Sequence, residues 1–188
     1  MTAPAFVYVA PARYEEILKV GFSHDPCDRL RSFHPRWFEY FDLESGFVLA
    51  ATDEADARRI ERLFADELRE HRATAPLVIE RAAGGFTEWY RGAHAPAAAL
   101  ATRLVAAGGY APPESLAARM HARLLQERDQ LFERTTFLLD AIEALQGEAQ
   151  AAALEFSLRA MLDAYVALQI DPHAFLPAHV IAWHASQP

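Results

Sequence analysis

Cysteine is nearly absent: the 188-residue chain has one, Cys27. A lone thiol excludes a disulfide-stapled scaffold and fits a reducing compartment. No segment approaches the roughly 20 consecutive apolar residues that span a bilayer, so no membrane crossing is expected. The N-terminus lacks a basic stretch followed by an apolar run; no secretory signal is read there, and a cytoplasmic location is expected. Positive charge is also in short supply. The net charge of −8 argues against loose, nonspecific attraction to nucleic acid, which rests on neutralising phosphates. The deficit is uneven, since residues 1–110 carry 13 Arg/Lys against 16 Asp/Glu and residues 111–188 carry 5 against 10. The cations gather towards the front, first Lys19, Arg29, Arg31 and Arg36, then Arg58, Arg59, Arg62, Arg69 and Arg72. Any basic groove is therefore local.

What is present begins with a β-prone run at residues 6–10 ended by Pro11, and a second at 16–22, which together read as a hairpin. Asp25 has the character of an N-cap with Pro26 at the first helical position, predicting a short helix to about Phe33, stopped by Pro35. Residues 46–51 are apolar almost throughout and predict a central strand. Thr52 or Asp53 caps a predicted helix over residues 54–72, where Ala57, Ile60, Leu63, Phe64 and Leu68 follow helical spacing. Next come residues 75–79, a Gly84-Gly85 turn, the run at 86–90, and a helix over about 96–106 ended by Gly108-Gly109. This order predicts an α+β domain over residues 1–110, a short central antiparallel sheet flanked by helices.

From Pro112-Pro113 onward the character changes. Residues 114–146 contain no glycine or proline, and Leu124, Leu131, Leu138 and Leu145 recur every seven residues. Gly147 breaks the pattern, and a second helix is predicted to about Ile170. Residues 111–188 are thus expected to form a C-terminal α-helical hairpin. Its leucines would make either an internal core or, coiled-coil fashion, a homodimer seam through residues 113–170. The same acidic hairpin is a candidate surface for docking a protein partner. His173, His179 and His184 are spaced too irregularly for a metal site and read as tail histidines.

Four side chains of the front domain stand out when taken together. Tyr8 lies in the first strand. Lys19 interrupts the second, although lysine is depleted in strands and rarely buried without a partner. Arg29 is on the first helix, and Glu61 is on the next long one among Arg58, Arg59 and Arg62. Taken singly, each has a plainer role: a half-buried strand tyrosine, surface charges, and a glutamate paired with its arginine neighbours. Glu88, in Thr87-Glu88-Trp89, is weighed as a second carboxylate but read as structural, paired with Arg91.

In that order and spacing the chain resembles the GIY-YIG nuclease superfamily, in particular the branch named for a bacteriophage T5 open reading frame and a meiotically up-regulated yeast gene. Phe6-Val7-Tyr8 resembles its first motif and Lys19-Val20-Gly21 its second, with lysine in place of tyrosine. Arg29 and Glu61 correspond to the helix arginine and the metal-binding glutamate, and the stretch at 85–90 resembles the branch's closing element. The resemblance spans about residues 5–105. Phe6 replaces a glycine, and the chain has no asparagine for the one some members place near the domain's end.

The resemblance implies a metal-dependent endonuclease acting on DNA. Glu61 would hold one Mg²⁺ or Mn²⁺ by a single carboxylate with waters completing the shell. Arg29 would grip the scissile phosphate, a task its planar fork suits. Tyr8 and Lys19 would orient the attacking water; which one takes its proton stays open. Arg31, Arg36 and Arg58 are the further candidates for contact with nucleic acid. The competing expectation is a catalytically degenerate nucleic-acid- or protein-binding module assembled through the C-terminal helices.

Overall fold

The predicted hairpin is formed by β1 (Ala5–Pro11) and β2 (Ile17–Ser23), antiparallel, with Tyr8 opposite Gly21 and Ala10 opposite Lys19. A computed structural model describes residues 4–79, 85–145 and 148–187 of the chain. Gly84 and Gly147, read above as turn and break, lie outside the described residues. The chain divides into two compact units, Met1–Arg119 and Met120–Pro188. Among the described residues no helix is long and apolar enough to cross a membrane.

In the first unit, β3 (Phe47–Ala51) pairs with the outer side of β1, as the apolar run predicts, and the two-residue β6 (Glu114–Ser115) pairs with β3. On the other side of the hairpin, β5 (Trp89–Arg91) pairs with β2, and β4 (Arg72–Ala73) closes that edge. The result is a six-stranded antiparallel sheet in the order β4-β5-β2-β1-β3-β6. The α+β class expected from the sequence is the class observed.

Successive strand side chains alternate between faces. Val7, Val9, Leu18, Val20, Leu49 and Tyr90 share one buried cluster with Ala57, Ile60 and Phe64 of α3 (Glu54–Glu67) and Ala97 and Leu100 of α4 (His94–Ala106). Tyr8, Lys19 and Trp89 therefore take the opposite face. Phe33 of α1 (Pro26–Phe33) meets Trp89 there, ring centroids 6.0 Å apart. A short helix the sequence reading did not anticipate, α2 (Trp37–Tyr40), buries Trp37 and Phe38 beside α1. Cover on both faces explains why β1 reads as one unbroken apolar run.

The helix predicted over 54–72 is shorter than expected. α3 stops at Glu67, a 3₁₀ turn spans Arg69–His71, and Arg72 has already joined β4 opposite Tyr90. Strand pairing overrides a pattern that would otherwise continue the helix.

The second unit holds most of α5 (Leu116–Gln126), then α6 (Arg128–Ala144), α7 (Ala149–Ala167) and α8 (Ala178–Ser186). The single helix expected over 114–146 is thus two helices, broken at Glu127. The Leu124 carbonyl explains the break. In an unbroken helix it would accept from the N–H of residue 128. It accepts instead from the Glu127 N–H at 3.1 Å and from the buried Tyr165 hydroxyl at 2.9 Å. Within α6 the fully buried residues are Leu131, Thr135, Leu139 and Ile142, whereas Leu138 and Leu145 are half-buried. The stripe thus follows the 3.6-residue period of a straight helix rather than strict heptads. His184 is no free tail residue: its Nε2 lies 2.7 Å from Asp163 Oδ1.

Candidate functional site

The four singled-out residues meet on the face of the sheet covered by α1 and at the edge of β2. Tyr8 is 1 % exposed and Lys19 2 %. Gly21, opposite Tyr8, lets the ring lie against bare backbone: a Cβ built there would be 2.5 Å from the Tyr8 hydroxyl. Arg29 is aimed by its helix. The Asp25 carboxylate accepts from the N–H groups of Cys27 and Asp28 at 2.9 and 3.1 Å, and Pro26 occupies the first turn. Pro26, Cys27, Leu30 and Phe33 face inward. Arg29 is left on the flank, where its guanidinium stacks 4.4 Å from the Phe33 ring centre and donates to the Tyr8 hydroxyl.

Glu61 arrives from α3, beyond the end of β5. Because β5 pairs with residues 17–19, the outer edge of β2 beyond Lys19 has no strand partner among the described residues. The Val20 N–H is taken by the Glu88 carbonyl at 3.1 Å, and the Phe22 N–H by the Glu61 carboxylate. Two of the arginines around Glu61 bond to other acids, Arg58 to Glu54 at 2.7 Å and Arg59 to Asp56 at 2.8 Å. The plainer expectation of a glutamate paired with its sequence neighbours therefore does not hold.

The residue that sequence reasoning undervalued is Glu88. It does not pair with Arg91; its Oε2 accepts from Lys19 Nζ at 2.8 Å. The signal was available, since a lysine inside a strand needs a counter-charge and the facing strand offers this acid one residue before Trp89, the partner of Lys19.

These groups perturb one another. Burial pushes the Tyr8 phenol up to about 12, although the Arg29 guanidinium pulls the other way. Desolvation lowers the Lys19 ammonium, opposed by its bond to Glu88. Burial raises Glu61, and the Glu88 charge raises it further. Glu88 itself is held below the usual range: burial opposes the shift, but the Lys19 and Thr87 hydrogen bonds outweigh it. The site thus holds two cations, two carboxylates and a neutral phenol. Among the described residues no group of three or more His, Cys, Asp or Glu gathers as a metal cage. The donor set at Glu61 fits a hard cation held by one carboxylate, with water and phosphate completing its shell. The raised carboxyl, repelled by Glu88, is a group that such a cation would satisfy.

Residues 5–105, more than half of the chain, match the T5orf172 domain. The chain belongs to the T5orf172 domain family. That assignment makes the sheet-bearing unit a nuclease-like module, of a kind compatible with nucleic-acid binding. Comparison with curated proteins and with solved structures gives no match.

The other basic candidates of the T5orf172 domain are partnered within the chain. Arg31 pairs with Asp28 at 3.3 Å and lies over the Trp37 ring. Arg36 pairs with Glu39 at 2.5 Å and lies over Phe38. Arg58, besides its bond to Glu54, lies 4.6 Å from the Phe22 ring centre.

Proposed function

We propose that this chain is a metal-dependent endonuclease hydrolysing DNA phosphodiester bonds. One observation carries the reading: Arg29, Tyr8, Lys19 and Glu61 come from four different elements and act on one another electrostatically. Family membership supports it. Arg29 offers a planar fork for nonbridging phosphate oxygens and offsets charge that develops on the phosphorane. Lys19 adds a compact ammonium beside it. Glu61 would hold Mg²⁺ or Mn²⁺, which when bound polarises a phosphate oxygen and helps the leaving 3′-oxygen. Tyr8 and Lys19 orient the water. Its oxygen forms the new bond to phosphorus as the P–O3′ bond breaks; the proton it sheds goes to solvent water, and the departing 3′-oxygen takes one from water. Arg31, Arg36 and Arg58 would extend contact along the nucleic acid, exchanging chain carboxylates for phosphates.

The test is cleavage of circular, linear and single-stranded DNA with Mg²⁺, with Mn²⁺ and with chelator. Cutting by the wild type that is lost in Glu61→Ala, with the folded secondary structure retained by circular dichroism, is the expected result. Uncut DNA at micromolar wild-type protein in every metal condition would instead leave a noncatalytic binding module.

A further inference from the structure

The chain has a single lysine among its 18 cationic side chains, Lys19, and it is buried at the site. A buried ammonium has lost its water and must find acceptors or raise the cost of folding. The acceptor it finds is held from several sides. Glu88 Oε2 accepts from Nζ at 2.8 Å, while Oε1 accepts from the Thr87 hydroxyl. The Glu88 carbonyl accepts from the Val20 N–H at 3.1 Å, tying the residue to the strand that carries the lysine. The fully buried Trp89 donates its indole N–H to the Gly85 carbonyl at 3.1 Å and closes the turn. Gly85 has φ +69°, and a Cβ there would lie 2.8 Å from Arg29 Nη2 and 3.3 Å from Lys19 Nζ. The turn is thus fitted against both cations. Of the ion pair, the lysine is 2 % exposed and the acid 31 %, so solvent reaches the pair through the carboxylate.

We propose that Glu88 is a positioning residue that acts through Lys19, fixing where the ammonium points while its own charge weakens the hold on phosphate. The inference rests on the phosphodiester-binding reading of the site. A residue of this kind affects affinity and turnover in opposite directions. Removing its charge strengthens phosphate binding and releases the ammonium from its productive direction. Loss of structure would weaken both.

Because Lys19 is the only lysine, protein labelled at lysine side-chain nitrogen gives one ammonium signal by NMR, readable without any cleavage. In wild type that signal is protected from solvent exchange, and a short oligothymidylate added without metal moves it. In Glu88→Gln, which keeps the side-chain shape but removes the charge that holds the ammonium, the protected signal is lost to exchange. Oligothymidylate binds Glu88→Gln roughly fivefold tighter, the effect of one unit charge about 4 Å away through water. With Mg²⁺, KM falls and kcat drops by about tenfold to a hundredfold, the scale of a misplaced group. An unchanged ammonium signal in Glu88→Gln, or a KM that rises together with a lowered melting temperature, overturns the positioning role. Wild type that binds oligothymidylate with the signal moving, yet cuts nothing, overturns the endonuclease reading alone. Cleavage with a Lys19 signal indifferent to both nucleotide and Glu88→Gln overturns this inference alone.

Discussion

Gly21 and Tyr8 face each other across the first two strands so closely that even a methyl group on Gly21 would collide with the Tyr8 ring, 2.8 Å from Cζ. Real Cβ atoms do not approach so near, and Tyr8 has no room to withdraw because it is buried on every side. Gly21→Ala is therefore expected to destabilise the domain by about 1–3 kcal/mol, the usual consequence of overpacking. Urea unfolding measures it. An unchanged midpoint would show that the phenol moves freely, against the packing described.

Glu61 links stability to pH with a definite sign. Its folded carboxyl is raised above its ordinary value of 4.5, by burial first and by the Glu88 charge second. Between the unfolded and folded values the native state binds more protons, so stability falls as pH rises through that window. Ionised Glu61 consequently weakens the fold at neutral pH. With chelator present, Glu61→Gln should unfold at a higher temperature than wild type near neutral pH, the gap closing below about pH 4. Mg²⁺ should raise wild type and leave Glu61→Gln unmoved. A gap independent of pH would contradict the account.

Asp25 caps the helix that carries Arg29, one turn away. Asp25→Ala removes acceptors for two helix N–H groups and should cost about 0.5–2 kcal/mol. Cleavage should fall with it because the guanidinium loses its mount, and Asp25→Ser should restore most of both. Thermal unfolding and initial rates check the two arms; unchanged rates with a weakened helix would uncouple the cap from the site.

In the helical unit, Tyr165→Phe deletes the hydroxyl that bonds to the Leu124 carbonyl. The carbonyl keeps the Glu127 N–H, so the loss should be about 1 kcal/mol, an ordinary net hydrogen bond. Hydrogen exchange of amides around Glu127 should quicken. Unaltered exchange there would mean that the break between the helices does not depend on Tyr165.

Much of the fold was legible because its signals are local. Asp25-Pro26 announces a helix start by supplying an acceptor and a fixed φ, and the hairpin is announced by Pro11 and two β-prone runs. The spacing of Ala57, Ile60 and Phe64 marks the buried side of α3, all three fully buried as read. What escaped depended on distant partners. Nothing within residues 114–146 marks a break at Glu127, since the hydroxyl that takes the carbonyl belongs to a residue 41 positions away. Likewise Arg91 lay three residues from Glu88 and seemed its natural partner, whereas the ion pair formed spans 69 positions.

By itself the sequence determined the β1–β2 hairpin, the central β3 and the starts of α1 and α3, and which side chains carry phenol, ammonium, guanidinium and carboxylate, because propensity, capping and periodicity act within a few residues. Only tertiary structure decided that Tyr8 lies against Gly21, that Glu61 reaches the free edge of β2, and that Glu88 holds Lys19. Those relations follow from strand register and from a short β5 that, among the described residues, leaves the β2 donors beyond Lys19 to the Glu88 carbonyl and the Glu61 carboxylate. Burial then compels each exposed donor and each buried charge to take whichever partner the fold brings within reach.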